Sequence, residues 1–280
     1  MTWEEKKELS VLSLKIRLGV LEGVFNAKSG HPGGSMSMAD IMTYLYWKEM
    51  RIDPKDPRNP ERDRFVLSKG HCAPGLYSTL AHRGFFSVDD IKTLRKTGSF
   101  LQGHPDMKSV PGVDMSSGSL GQGISAACGI ALSAKLRSKN YRVYTMLGDG
   151  ELEEGQVWEA SMFAAHYKLD NLCVIVDNNG LQIDGPITSV CSPEPITDKF
   201  TAFGFHVLRI DAHDFNEIAF AFDMAKRETG RPTAIIARSI KGRGVSFMEN
   251  NPAWHGAAPN AEQYAAAKAE LEAALAAMEV

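Results

Sequence analysis

The chain has 280 residues and a formal net charge of −3; 44% of its residues are hydrophobic and 23% are charged. A chain of this length can bury about three-quarters of the surface exposed when it is unfolded, so one large domain needs no disulfides. The negative net charge gives no sign of the basic surface that binds nucleic acid. The four cysteines show no Cys-x-x-Cys spacing, so neither a zinc site nor a disulfide framework is indicated. With no signal peptide core and no apolar run near 18 residues, we expect a cytoplasmic protein without a membrane partner.

The N-terminal part of the sequence predicts helices around a glycine-rich turn. Residues 4–27 carry apolar side chains at helical spacing. The turn Ser29–Ser35 is expected to stop this helix, and a second helix is expected over Met38–Glu49. After a charged connection, Arg64–Leu67 predicts the first strand and Gly75–His82 the next helix.

A long segment of little periodicity follows. Ser87 and Asp90 resemble the capping arrangement of a short helix. Lys96–Ser119 is too long for a simple connector, and such loops are usually functional. Gly118–Gly123 has a glycine pattern, but no predicted strand precedes it, so we reject a Rossmann fingerprint.

The centre of the sequence predicts a βαβ unit. Tyr141–Leu147 and Leu172–Val176 are strand-like, and an amphipathic segment lies between them. Asp149 and Asn179 follow the two strands, at the spacing of about 30 residues that such a unit needs. Parallel strands would bring both turns to the carboxyl edge of the sheet, where ligands bind. Taken alone, residues 176–183 also fit a β-hairpin with a turn at Asn179-Gly180, and the residues leave this alternative open.

The residue types at this edge indicate a metal and a diphosphate. A carboxylate at Asp149, an amide at Asn179 and backbone carbonyls beyond it form an all-oxygen set that suits Mg²⁺. Gly148 and Gly150 let the backbone approach an anion, and the following helix would point its N-terminal N–H groups at it.

The C-terminal third predicts two further strands and two helices. Asp184–Thr197 is expected to be irregular. Phe205–Ile210 and Thr233–Arg238 read as strands joined by a helix, which Asp214 and Glu217 could cap as a box. Asn260 and Gln263 are expected to start the last helix, 261–279. We found no linker, so we expect residues 1–280 to form one α/β domain with a mostly parallel sheet.

Four histidines stand in predicted loops beside glycine or proline, where binding residues concentrate: His31, His71, His104 and His255. An unperturbed imidazole titrates near pH 6.5 and can exchange protons at neutral pH. A purely structural role is the alternative for each. The other four histidines lack such surroundings and are interpreted as structural.

Several separated motifs together resemble one family. Gly148-Asp149-Gly150 with Asn178-Asn179 resembles the thiamine diphosphate-binding signature. The order of motifs over roughly residues 10–258 resembles the N-terminal domain of transketolase, through Ser29–Gly34, Leu67–His71, Gly103–Pro105, Gly118–Ser125 and Trp254–Gly256. The resemblance implies the thiamine diphosphate-binding fold, with three α/β/α layers.

The resemblance also implies roles for individual residues. Mg²⁺ would be held by Asp149, Asn179 and the main-chain oxygen of Leu181. The positions that match cofactor contacts are His71, Gly118, Leu120, Gly150, Asn179 and Leu181. Lys241 is a further candidate for the diphosphate, with a solvated basic loop as the alternative. The catalytic histidines would be His31, His71, His104 and His255.

The family resemblance further implies a partner. In transketolase-like enzymes, the glutamate that activates the cofactor belongs to a pyrimidine-binding domain of the opposite subunit, and this sequence contains only the first domain. We therefore expect an N-terminal subunit of a split transketolase of the pentose phosphate pathway, which acts on sugar phosphates. A C-terminal subunit would carry the pyrimidine-binding and C-terminal domains in a heterotetramer. Glu154 and Glu159 match interface carboxylates of the family, with ordinary charges on a helix surface as the alternative.

Two alternatives remain open from the sequence. One is another ketol transfer on the same fold, by a specialised sugar-catabolic transketolase or a deoxyxylulose-phosphate-synthase-like enzyme. The other is a non-catalytic scaffold subunit that binds the cofactor, although a scaffold would not need four loop histidines.

Overall fold

A computed structural model describes residues 1–279 and shows a parallel sheet between helices. The strands are Arg64–Leu67 (β1), Val143–Gly148 (β2), Leu172–Asn178 (β3), Leu181–Gln182 (β4), Gly185–Pro186 (β5), His206–Asp211 (β6) and Thr233–Arg238 (β7). Five of them form one sheet in the order β1-β2-β3-β7-β6. All four neighbouring pairs in this sheet are parallel. The five strands predicted from the sequence and their parallel arrangement are confirmed.

Within the described residues 1–279, ten α-helices connect and cover the strands. They are Trp3–Ala27 (α1), Pro32–Ser37 (α2), Ala39–Tyr44 (α3), Ala73–Arg83 (α4), Gln122–Leu136 (α5), Gly155–His166 (α6), Ile187–Val190 (α7), Ile196–Ala202 (α8), Phe215–Arg227 (α9) and Ala261–Glu279 (α10). Within residues 1–279, no helix is both long and apolar enough to cross a bilayer.

The two faces of the sheet have separate cores, which explains the three layers. Strand residues alternate between the faces, as the pleat requires. Cys173 and Ile175 of β3 join the core under α1, α3, α4 and α9. Val174 and Val176 join the core under α5, α6 and α8. Because both faces are buried, the central strands are mostly apolar runs rather than alternating ones.

Several local predictions were wrong. Ser29–Ser35 is not only a turn, because α2 begins at Pro32, a residue suited to the first helical turn. The expected helix 38–49 changes to a π-helix over Leu45–Glu49. After Ser87, the chain forms a 3₁₀-helix, and the Ser87 hydroxyl accepts from Asp89 N rather than pairing with Asp90.

Of the two capping boxes predicted from residue spacing in the C-terminal third, one forms and the other does not. Asp214 accepts from Asn216 N at 2.8 Å, but Glu217 accepts from Asp211 N, so the expected box does not close. At α10, Asn260 and Gln263 exchange reciprocal hydrogen bonds of 3.0 and 2.9 Å, as predicted.

The hairpin alternative for residues 176–183 is wrong. Strand β3 lies between β2 and β7 and pairs with both in parallel. An antiparallel pair forms only afterwards, between the two-residue strands β4 and β5. This pair and α7 also give structure to part of Asp184–Thr197, which the sequence predicted to be irregular.

Candidate active site

One cavity of about 450 Å³ opens at the carboxyl edge of the sheet. It lies where β1, β2, β3 and β7 end, since residues following each of these strands line it. Ten of the eleven residues predicted for the site line this cavity: His31, His71, Gly118, Leu120, Asp149, Gly150, Asn179, Leu181, Lys241 and His255. The parallel sheet therefore brings together loops that are far apart in sequence.

Asp149 is the buried carboxylate of the cavity, with 1% of its surface exposed. Its two oxygens accept the backbone N–H groups of Gly150 and Gly180, so it ties the turn after β2 to the turn after β3. Burial, together with the nearby charge of Asp177, raises the pKa of Asp149 to about 7. A buried carboxylate of this kind favours a cation beside it.

Asn179 and Leu181 complete the predicted oxygen set. Asn179 Oδ1 accepts from Leu181 N at 3.1 Å, which closes the turn after β3. The Leu181 carbonyl accepts from Lys241 Nζ at 3.0 Å. One carboxylate, one amide and one carbonyl on the same wall fit Mg²⁺, which binds few protein oxygens and keeps its remaining positions for phosphate or water. Nowhere in residues 1–279 could three or more His, Cys, Asp or Glu side chains together hold a metal.

Lys241 lies inside the cavity wall rather than in a solvated loop. Its side chain is 2% exposed and reaches across from the end of β7. Nζ lies 3.0 Å from His255 Nδ1. A charged lysine only donates, so Nδ1 is the acceptor and the His255 ring carries its proton on Nε2. Burial lowers the pKa of Lys241.

A buried ion pair at the cavity wall was not anticipated from the sequence. Lys69 and Asp177 pair with side chains that are 2% and 0% exposed. Asp177 also accepts from the hydroxyls of Ser37 and Ser239, and Lys69 Nζ donates to Gly34 O at 2.8 Å. Although burial would raise it, Lys69 keeps the pKa of Asp177 below its usual value.

Glu151 is a second residue that sequence reasoning missed. Its carboxylate accepts from the Ser68 hydroxyl, from Gly121 N at 2.9 Å and from Gly148 N at 3.1 Å. It therefore joins the turn after β1, the start of α5 and the end of β2. In the sequence it is one acidic residue among three, so no signal separated it from Glu153 and Glu154.

The N-terminus of the next helix does not lie where the sequence placed it. A 3₁₀-turn over Gly150–Glu153 intervenes, and α6 begins at Gly155. Gly150 N donates to Asp149 rather than pointing freely at a ligand. The expectation that this helix directs its first N–H groups at an anion stays a prediction, and those of α6 begin at Gly155.

Three of the four predicted histidines form one cluster. The ring centroids of His31, His71 and His255 are 5.1 to 5.3 Å apart in all three pairs. They come from the start of α2, from the turn after β1, and from the loop before α10. The three rings form one wall of the cavity.

The environment keeps these imidazoles uncharged. Burial, reinforced by Arg95, lowers the pKa of His31 to about 4, and burial with Lys241 lowers that of His255 to about 3. Burial with Lys69 lowers the pKa of His71 to about 2. The proton exchange near pH 6.5 that an unperturbed imidazole allows is therefore disfavoured for these three rings. At neutral pH each ring offers one N–H donor and one acceptor.

His104 lies apart from this cluster. It is not among the residues that line the cavity, and it is exposed. Its ring packs on Gly118, where a Cβ would lie 3.2 Å from His104 Cδ2. His104 therefore stands at the rim, separated from the cavity by the glycine loop.

Comparisons with known proteins agree with this geometry. Residues 10–277 match the family described as transketolase, thiamine diphosphate binding domain. The 6-deoxy-6-sulfo-D-fructose transketolase subunit of Clostridium sp. (strain MSTE9) is 45% identical over 96% of this chain and 98% of that protein. An apulose-4-phosphate transketolase subunit of Phocaeicola vulgatus is 42% identical over 94% of this chain and 93% of that protein.

Solved structures agree on the fold. The transketolase of Campylobacter jejuni superimposes with a TM-score of 0.89 at 32% identity, and the match covers 99% of this chain and 46% of that chain. This chain thus spans less than half of that transketolase but nearly the whole of the two subunits. The chain belongs to the transketolase family, in which it corresponds to the thiamine diphosphate-binding domain.

Proposed function

We propose that the chain is the cofactor-binding subunit of a two-subunit transketolase. It would transfer a two-carbon ketol unit from a ketose phosphate to an aldose phosphate once a second subunit completes the site. The observation that carries the proposal is the convergence of ten predicted site residues on one cavity at the carboxyl edge of the sheet. The nearly full-length match to two proteins named as transketolase subunits supports the division into two chains.

The proposed unit is the chain from residue 1 to residue 280, as one diphosphate-binding and metal-binding domain. Helix α10 packs against α1 through the buried residues Ala267 and Leu271. The last helix therefore covers the same core as the first one, which supports its place in this domain.

Asp149, the Asn179 amide oxygen and the Leu181 carbonyl would hold Mg²⁺. The buried Asp149 carboxylate, paired only with backbone N–H groups among residues 1–279, supplies the negative charge that a cation needs. Lys241 would move from the Leu181 carbonyl toward the diphosphate, to which a buried ammonium is a strong donor. Thiamine diphosphate, when bound, supplies a ring carbon that adds to the ketose carbonyl and holds the cleaved fragment as an electron sink.

The remaining wall would hold the rest of the cofactor and the sugar. Gly118 and Leu120 would contact its rings, and Gly150 and His71 its diphosphate. His31 and His255 would bind the hydroxyl and carbonyl oxygens of the sugar through neutral rings, and His104 a hydroxyl at the rim. Because Lys241 holds His255 Nδ1, the free Nε2–H of that ring is the donor toward the sugar.

Helix α6 offers a surface for the second subunit. Met162 and Phe163 of this helix are 54% and 37% exposed, and Tyr167, directly after it, is 46% exposed, near the exposed carboxylate of Glu159. Such a row of large apolar side chains is typical of a protein interface. We propose that a partner carrying the pyrimidine-binding domain covers it, in a cytoplasmic heterotetramer of two copies of each chain.

The donor is proposed to be a specialised ketose that carries a phosphate or a sulfonate, rather than only a common pentose phosphate. The two nearly full-length relatives are named for 6-deoxy-6-sulfo-D-fructose and apulose-4-phosphate. The 32% identity to the Campylobacter jejuni transketolase supports the chemistry but not the sugar. A panel of ketoses tested on the assembled enzyme would identify the donor.

The proposal can be tested by capturing the chain from its own cells with Mg²⁺ and thiamine diphosphate and identifying any partner by mass. The reconstituted pair should transfer ketol units, and the chain alone should not. Asp149→Ala should abolish Mg²⁺-dependent cofactor binding in calorimetry, whereas Asp184→Ala, at an exposed position of the same rim, should not. Turnover by the pure chain would refute the split site, and unchanged affinity in Asp149→Ala would refute the metal assignment.

A further inference from the structure

Arg95 lies between the two loops that carry His31 and His104. Its Nη1 donates to the Ser29 hydroxyl at 3.1 Å, two residues before His31. Its Nη2 lies 3.5 Å from the Gly103 carbonyl, one residue before His104. A single guanidinium group thus reaches both histidine loops, which otherwise come from distant parts of the chain.

The surroundings of Arg95 are built around its side chain. A Cβ at position 103 would lie 2.8 Å from the Arg95 guanidinium carbon, so only glycine lets the group lie against this backbone. Arg95 N donates to Leu101 O at 2.8 Å, and Leu101 is buried, which fixes the loop between Arg95 and Gly103.

The backbone of Arg95 is strained. Its φ is 58°, in the left-handed region that residues with a side chain rarely adopt. Such a conformation is unfavourable for a residue with a side chain and persists where the surroundings demand it, often at functional sites. For the backbone alone, glycine would be favoured at this position. The presence of arginine therefore indicates that the side chain is needed there.

One donor of this guanidinium has no partner. Arg95 Nε is buried and makes no hydrogen bond within residues 1–279. The same holds for His31 Nδ1. Buried polar atoms normally find partners, and His31 lines the cavity, so its unpaired Nδ1 favours a polar ligand or water close by.

The positive charge of Arg95 acts on both histidines. After burial, it is the largest influence that lowers the pKa of His31 and of His104. His104 and Lys241 also lower the pKa of His31. The rings of His71 and His255 pack edge-on against the His31 ring. Arg95 therefore helps to keep both rings neutral.

We infer that Arg95 is a positioning residue, which clamps the Ser29–His31 turn to the Gly103–His104 loop and so fixes both imidazoles against the ketose donor. The inference rests on the proposed function, and it adds a residue outside the cavity lining to the recognition of the sugar. The neutral rings then present fixed donors and acceptors to neighbouring hydroxyl groups.

Arg95→Gly is the most direct test, because glycine removes the guanidinium and also relieves the left-handed backbone. In the reconstituted complex, we expect kcat/KM for the donor to fall about 10- to 100-fold, as for the loss of one or two hydrogen bonds to a charged group. The affinity for thiamine diphosphate with Mg²⁺ should stay within about twofold, and the thermal midpoint should not fall. Added guanidinium ion should partly restore the activity. Arg209→Met, at an exposed position of β6, is the control.

A second readout does not need activity. In the isolated chain with ¹³C-labelled histidine, Arg95→Gly should raise the pKa of His31 and His104 toward 6.5, and Arg209→Met should not. If the wild-type complex transfers no ketol group, the proposed function fails and the titration alone decides the role of Arg95. The inference would be overturned if Arg95→Gly kept wild-type activity and left the pKa values of His31 and His104 unchanged. It would also be overturned if the affinity for the cofactor fell as much as kcat/KM.

Discussion

Replacement of Asp149 by asparagine should stabilise the metal-free chain at about pH 8 while it abolishes Mg²⁺-dependent cofactor binding. The pKa of Asp149 is raised from 3.8 to about 7 by burial and by Asp177. A shift of that size corresponds to roughly 4 kcal/mol of destabilisation once the carboxylate is ionised in the folded chain. Because Asp177 shares part of this interaction, the figure is an upper bound.

The substitution also has a cost. Asparagine offers one acceptor where the carboxylate has two, so one of the N–H groups of Gly150 and Gly180 loses its partner. An unpaired buried donor costs about 1–3 kcal/mol. The expected net gain for Asp149→Asn near pH 8 is therefore roughly 1–3 kcal/mol.

The sign of the pH dependence follows from the raised pKa. A carboxyl group whose pKa is higher in the folded chain binds its proton more tightly there, so its contribution to stability is complete below 3.8 and is lost as the pH rises through about 7. The advantage of Asp149→Asn over the wild type should thus shrink by roughly 3 kcal/mol between pH 8 and pH 5, where the wild-type carboxyl group is protonated.

Urea denaturation followed by circular dichroism in EDTA, at about pH 5 and pH 8, measures this difference. Asp184→Asn is the matched control, because Asp184 is exposed on the same rim and should change stability little at either pH. An Asp149→Asn chain that is less stable than the wild type by the same amount at both pH values would refute the assignment of Asp149 as a buried, cation-free carboxylate.

Three further predictions concern the residues that support the site. Lys69→Met should destabilise the chain by about 3–5 kcal/mol in urea denaturation, because it leaves Asp177 buried without its cation. Gly123→Ala should lower the free energy of unfolding by about 1–3 kcal/mol, since the new Cβ would lie 2.5 Å from Ser68 Cα. In the wild type, acid should lower stability between about pH 6.5 and pH 4, because His71 binds a proton in the unfolded chain but not in the folded one, where its pKa is lowered. His71→Gln should reduce this loss of stability by roughly 1–3 kcal/mol.

Each of these has a matched comparison. The double variant Lys69→Met/Asp177→Asn should recover part of the loss, and a single-variant loss under about 1 kcal/mol would contradict the buried pair. Gly129→Ala, in the same helix with open space at its Cβ, should gain about 0.5–1 kcal/mol. A His71→Gln chain with the acid sensitivity of the wild type would show that His71 takes up a proton in the folded state.

The sequence by itself determined the elements of the sheet and the residue types at its edge. Period and length located all five strands, because a strand buried on both faces is a short, continuous apolar run. Asp149 and Asn179 could be predicted to lie close together because each follows a strand, and parallel strands end at one edge of the sheet. Both residues line the cavity. The local errors arose where short-range capping competes with tertiary contacts, as at Glu217, which bonds to Asp211 N instead of its expected partner.

Only the tertiary structure decided how the loops meet. The pairing of Lys69 with Asp177, 108 positions apart, and the bonds of Glu151 to three separate turns depend on burial that no local pattern encodes. The same burial sets the charge of the cavity, since it raises the pKa of Asp149 and lowers those of His31 and His255. Residue identity supplies the chemical groups, but desolvation and neighbouring charges are properties of the assembled fold, and they determine which groups are ionised.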